Sequence, residues 1–336
     1  MRAWILNRPG KIEDLPLRVE ERSVLEPMAG EIRVKVSACG ICHTDLHEIE
    51  GEMNLPKLPL TPGHQVVGTV DKLGTGVSGF KTGERVGLTW LFSACGKCKF
   101  CTAGFENLCP QAEFTGLHHQ GGYAEYMLAK ADFALHLPGQ YDDFHLAPLL
   151  CAGIIGWRSF KLSEVKKGET LGLFGFGASA HIVCQVARHL GVEVFAFSRG
   201  SHHQELARKL GAAWAGTTSE KPPRTVDRGI VFAPAGKVVL DALGHLRKGG
   251  TLALNAVYMD KIPELDFNRL LFGEKKLVSV SNLTREDARE FLKIAPEIPV
   301  QTEVEIFEFN HLAQALLKLK QGKVNGAAVL KVGASP

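Results

Sequence analysis

From about Lys166 onward the apolar positions switch between two periods. "ETLGLFGFG" is an apolar run ending in glycines, which reads as a strand. In "ASAHIVCQVARHLG" the residues Val183, Val186, Ala187 and Leu190 form one stripe at helical spacing, and Gly191 supplies a stop signal. "VEVFAF" then reads as a strand, "HHQELARKLG" as a helix, "GIVF" as a strand, "VVLDALGHL" as a helix and "GTLALNAV" as a strand. Strands alternating with helices on short links predict a doubly wound parallel α/β sheet. The first third reads differently. "EIRVKVSAC" and "HQVVGTVDKLG" alternate or run apolar as strands do, broken by Gly and Pro, which predicts an antiparallel, loop-rich β domain. The tail from "REDAREFLKIA" to "AAVLKVG" mixes helical and strand-like runs, and patterning alone assigns it to neither domain.

Length and charge narrow the class. The 336 residues allow two domains or one large one, and 45% apolar with 22% charged is an ordinary globular balance. A net charge of +3, without a long Lys/Arg block, argues against nucleic acid or an anionic membrane as partner. "MRAWILNRPGKIEDLPL" lacks the apolar core of a signal peptide, and "APLLCAGIIGW" is too short to span a bilayer. A cytoplasmic protein is expected. Eight cysteines in such a chain are a poor disulfide framework, and four of them cluster between Cys95 and Cys109.

That cluster, "CGKCKFCTAGFENLC", places Cys95, Cys98, Cys101 and Cys109 at C-x2-C-x2-C-x7-C spacing. Four thiolates suit a closed, structural tetrahedral Zn²⁺, with an iron–sulfur cluster as chemical competitor. Earlier, "CGICHTDLH" holds Cys39 and Cys42, which taken alone suit a second knuckle or a redox pair. A redox pair normally precedes a helix in a βαβ context, which is absent here. A second site can instead be assembled from a cysteine of this motif, His64 in "PGHQVVG" and Cys151 in "APLLCAGI". Three protein ligands with one open position is the catalytic zinc pattern.

Taken in order, "CGICHTDLH", "PGHQVVG", the four-cysteine lobe, "PLLCAGI" and "GFGASA" resemble the zinc-dependent alcohol dehydrogenases of the medium-chain dehydrogenase/reductase family. The resemblance covers essentially the whole chain. It implies that Cys42, immediately before the H-T-D run, is the ligand beside His64 and Cys151, and that Cys39 packs. It implies further that Thr44 takes the alcohol proton and passes it through a cofactor ribose hydroxyl to His47, a solvent-side base. Asp45 would brace the far nitrogen of His64, and His43 would lie near the cofactor pyrophosphate. One departure stands out: the family usually carries Glu after the histidine ligand, where this chain has Gln65.

"GLFGFGASA" gives Gly175, Gly177 and Ala180 as G-x-G-x-x-A between a strand and a helix, the dinucleotide fingerprint. At the end of the next strand an NAD site usually carries an acid for the ribose 2′-OH. Here "FSRGSHH" offers Ser198, Arg199 and Ser201, with His202 beside them, which favours NADP over NAD. By the same resemblance Arg285 in "NLTREDA" touches the cofactor and Trp90 walls the substrate pocket, favouring unbranched primary alcohols or aldehydes. The expected fold is therefore a GroES-like β-rich catalytic domain (residues 1–152 and 286–336) with a structural zinc lobe, around a Rossmann domain (153–285). The active site is expected between them, in a dimer or tetramer. The expected activity is hydride transfer between a primary alcohol or aldehyde and a nicotinamide cofactor, with two zinc ions per chain. The competing readings are an NAD-dependent enzyme, an inactive zinc-binding relative, and a zinc-knuckle nucleic-acid module. The last leaves the glycine motif, His64 and Cys151 unexplained.

Overall fold

The computed structural model describes residues 1–333. The chain forms two compact units: Met1–Cys151 with Asn282–Lys293 and the chain from Thr302 onward, and Ala152–Ser281 with Ile294–Gln301. The family resemblance led to a boundary after residue 285, and the structure gives Asn282–Lys293 to the first unit. The reason is local bonding: Arg285 is held there by Glu106, through its backbone N–H at 2.7 Å and through its guanidinium. Ile294–Gln301 joins the second unit, where Gln301 and Gln185 exchange two hydrogen bonds of 2.8 Å.

The first unit is built on the eleven-residue strand Glu31–Ile41. Its alternate residues Ile32, Val34 and Val36 enter the hydrophobic core, while the strand pairs antiparallel with Gln65–Leu73, Ala327–Lys331 and Tyr126–Lys130. The register with Gln65–Leu73 sets Gly40 opposite Gln65. Cys42 and His64 are the residues just beyond that pairing, one leaving the first strand and one entering the second. Antiparallel geometry thus delivers two separated polar residues to one end of the sheet. A Cβ at Gly40 would come within 2.8 Å of Gln65 Oε1, so a larger residue there needs the Gln65 side chain to shift. Behind them the buried 3₁₀ turn Ala147–Leu150 ends at Cys151.

The second unit is a six-stranded, wholly parallel sheet. Its order is Trp214–Gly216, Glu193–Phe197, Thr170–Phe174, Val226–Val231, Leu246–Leu254 and Lys276–Ser279. The doubly wound pattern read in the sequence is present, with two short edge strands added. The chain order reverses at Thr170–Phe174, whose neighbours are the following strand on one side and a later one on the other. The carboxyl end of such a strand is where open α/β sheets bind ligands. Among the described residues no helix is long and apolar enough to cross a membrane.

Candidate active site

Cys42 caps the helix His43–Glu50. Its Sγ accepts from the Thr44 backbone N–H at 3.3 Å while its own N–H donates to Asp45 Oδ2 at 2.9 Å, a reciprocal capping box made with a thiol. The cap fixes both residues. Asp45 then uses its other oxygen, accepting from His64 Nδ1–H at 2.8 Å with both side chains fully buried. That bond leaves Nε2 of His64 as the free lone pair. It lies 3.6 Å from Cys42 Sγ, and the ligand atoms of Cys42, His64 and Cys151 lie within 4.8 Å of one another.

The donor set fits a zinc ion. Bond lengths of zinc to sulfur and imidazole nitrogen imply a separation of about 3.6 Å between two tetrahedral ligands, as observed. A hydrogen bond with Cys151 and then burial push the Cys42 thiol well above its ordinary pKa. Burial alone would lower the His64 pKa, but the charges of Asp45 and Cys42 and the hydrogen bonds to both outweigh it and raise it.

Two further side chains complete this pocket, and neither was read from the sequence. Tyr123 is fully buried and its hydroxyl donates to Gly40 O at 3.5 Å; burial first, then the nearby Asp45 charge, pushes its phenol well up. Glu48 is also fully buried and accepts from Trp90 Nε1 at 3.1 Å. Helical spacing from Asp45 to Glu48 put both on one face, yet a lone Glu in an amphipathic helix reads as solvated. Trp90 itself stacks on Phe114 at 4.5 Å between ring centroids and tilts against His64 at 6.2 Å. Thr44 is buried on the helix, His43 and His47 rings lie 6.4 Å apart, and His47 Nδ1 pairs with Glu52. Cys39 is buried in the hydrophobic core and is not part of the ligand group.

The second cysteine group is local and partly exposed. The thiols of Cys95, Cys98, Cys101 and Cys109 converge within 4.8 Å, with Cys98–Cys101 at 3.6 Å and Cys95–Cys101 at 3.9 Å. Four sulfurs around one zinc are about 3.8 Å apart, so the lobe is already at the spacing of a tetrahedral site. Backbone N–H groups of Lys97 and Cys98 hold the Cys95 thiol down at about 6, and the Cys101 N–H lowers Cys98. Arg285 is committed to this lobe. Its Nε and Nη2 bond Glu106, Nη1 donates to Asp132 O, and the guanidinium lies 4.3 Å over the Phe133 ring. All three guanidinium nitrogens are engaged.

In the second unit the glycine turn follows Thr170–Phe174. Gly175 has φ +94° and its absent Cβ would meet the Ala233 backbone at 2.9 Å. Gly177 caps the helix Ala178–His189, and a Cβ there would meet nothing within 4 Å. Open space beside a helix N-terminus is chemically suited to an anionic group. Ala180 is fully buried where the helix meets the sheet. Ser198, at the end of the next strand, approaches His203 Nδ1 at 3.4 Å and its carbonyl is held by Gln204 Nε2. Arg199 is exposed, and Ser201 opens the helix Ser201–Lys209. Cys184 is buried on the first helix, its thiol raised to about 12 by burial.

Residues 28–139 match the alcohol dehydrogenase GroES-like domain, and residues 180–297 match the zinc-binding dehydrogenase family. A Mycobacterium tuberculosis protein named "Probable alcohol dehydrogenase AdhA" is 43% identical over 99% of this chain and 97% of its own length. This decides the family. The chain is a zinc-containing alcohol dehydrogenase of the medium-chain dehydrogenase/reductase family. An alcohol dehydrogenase of Geobacillus stearothermophilus is 36% identical to it over 94% of this chain and 96% of its own. The solved cinnamyl alcohol dehydrogenase of Sorghum bicolor superposes on the dehydrogenase with a TM-score of 0.91, at 26% identity over 100% of this chain and 98% of that one. The two cysteine groups fit the zinc sites of such an oxidoreductase.

Proposed function

We propose that this dehydrogenase prefers NADP and moves hydride between nicotinamide and an unbranched primary alcohol or its aldehyde. The observation that carries the reading is the convergence of Cys42, His64 and Cys151 on one point, braced by Asp45. When bound there, zinc supplies Lewis-acid polarisation of the substrate oxygen. The chain's own residues do the rest. Asp45 holds His64 in the tautomer that presents Nε2, and Thr44, two residues from Cys42, takes the hydroxyl proton. His47, oriented by Glu52, receives that proton on the solvent side. Trp90 walls the substrate pocket and His43 lies on the pyrophosphate side. The four-cysteine lobe holds a structural zinc whose role is to fix the fold.

The cofactor preference rests on charge. Gly175, Gly177 and Ala180 shape the pyrophosphate cradle, and no carboxylate follows at Ser198 to repel a 2′-phosphate. Arg199 is exposed and Ser201 stands at a helix start, so both are placed to bind that phosphate, with His202 adjacent. The enzyme acts as a homo-oligomer, a dimer or tetramer, in the cytoplasm. Initial rates of short-aldehyde reduction with NADPH and NADH side by side test the reading. Faster turnover with NADPH supports it, and faster turnover with NADH retains the activity and overturns the cofactor assignment. Silence with both, across several aldehydes, points to a zinc-binding relative without activity.

A further inference from the structure

Glu48 sits one helical turn beyond Thr44, wholly buried, with Oε1 accepting from Trp90 Nε1 at 3.1 Å. Its Oε2 has no hydrogen-bond partner among the described residues. A carboxyl in such a place is chemically costly, because a leucine or methionine of similar volume would fill the space without losing hydration. The one bond it makes therefore needs a purpose, and that bond ends on Trp90. Stacking on Phe114, with 21° between the rings, fixes the plane of the indole. It leaves the ring free to slide or turn within that plane. The bond to Nε1 removes this freedom. Glu48 in turn is carried by the helix capped by Cys42, so the indole is tied to the element that carries a metal ligand.

We propose that Glu48 is a positioning residue that locks Trp90 beside His64 and thereby sets how narrow the substrate pocket is. The inference rests on the reading of Trp90 as a pocket wall. Burial, then the nearby Asp45 charge, pushes the Glu48 carboxyl well above the usual carboxylate range. Glutamine keeps the volume and an oxygen for Nε1, whereas leucine keeps the volume and loses the bond.

The test uses the full-length, zinc-loaded protein as wild type, Glu48→Gln and Glu48→Leu. Hydrogen exchange of the indole N–H signals is followed by NMR, the signal of Trp90 among the four tryptophans being identified by its loss in Trp90→Phe. In E48L that proton should exchange at least about tenfold faster, and in E48Q it should stay within about twofold of wild type. In parallel, the kcat/KM ratio of 1-butanol over 2-methyl-1-propanol should fall roughly tenfold in E48L, mostly through KM, and hold in E48Q. An unchanged indole proton or an unchanged ratio in E48L overturns the inference, as does E48Q behaving like E48L. Should E48L not fold, wild type decides: the Trp90 proton must be protected from exchange, and fast exchange overturns the lock. A wild type inactive on every alcohol overturns the site reading together with this inference. Turnover with a ratio that does not move overturns this inference alone.

Discussion

The two cysteine groups differ in how they are made. Cys95, Cys98, Cys101 and Cys109 lie within one short lobe, three of the four partly exposed, and their own turns supply the N–H groups that favour thiolate. Cys42, His64 and Cys151 come from a strand end, a strand start and a 3₁₀ turn, and the imidazole between them is fully buried. The lobe supplies all four ligands itself, so it can close around zinc locally and has no position for substrate. The three-ligand group exists only once the sheet has paired Gly40 with Gln65. It depends instead on supporting residues: Asp45 on His64 and Glu48 on Trp90. A closed site is written in spacing, whereas an open one is written in tertiary structure.

That contrast can be broken by substitution. His64→Ala should abolish turnover, by roughly 10³-fold or more, since Lewis-acid polarisation is worth several kcal/mol. It should also halve zinc content without unfolding the lobe, as elemental analysis and thermal melting would report. Cys98→Ser should do the reverse. It should cost stability by a few kcal/mol, a fraction of the roughly 10–16 kcal/mol of zinc binding in small peptides, while kcat of the folded fraction stays within about threefold. Asp45→Asn keeps the shape but weakens the brace, and zinc affinity at the three-ligand site should fall about 10–100-fold in a competition assay. Arg199→Ala should raise KM for NADPH by roughly tenfold and leave KM for NADH within about twofold, with a smaller difference at high salt. Tyr123→Phe should be the mildest. Loss of one hydrogen bond of at most about 1 kcal/mol to Gly40 O should weaken zinc no more than a few-fold and leave the cofactor constants unchanged.

Periodicity carried the parallel sheet, because its central strands are continuous apolar runs such as "TLGLF" and "EVFAF". It missed Trp214–Gly216 and Lys276–Ser279, edge strands too short to show a period. The tail was opaque for a different reason. Ala327–Lys331 becomes a strand of the first unit only through antiparallel pairing with Glu31–Ile41, a partner about 290 residues away in sequence whose register no local pattern encodes. Metal-ligating types at recognisable spacing made Cys95 to Cys109 legible, the residue types offered His64 and Cys151 with one cysteine of "CGICHTDLH", and the family resemblance chose Cys42 over Cys39. Glu48 and Tyr123 were not legible, since an ordinary helix Glu and a lone Tyr acquire meaning only from the burial that tertiary packing imposes. The pairing of Arg285 with Glu106 was not legible either, because that partner lies far back in the chain.

Zinc and activity counted in the same sample, as a chelator is titrated in, test the central claim most directly. The account predicts two zinc ions per chain leaving in separable phases, with alcohol oxidation lost in step with one of them and thermal stability with the other. A single zinc per chain, or activity that persists after both have left, would contradict it.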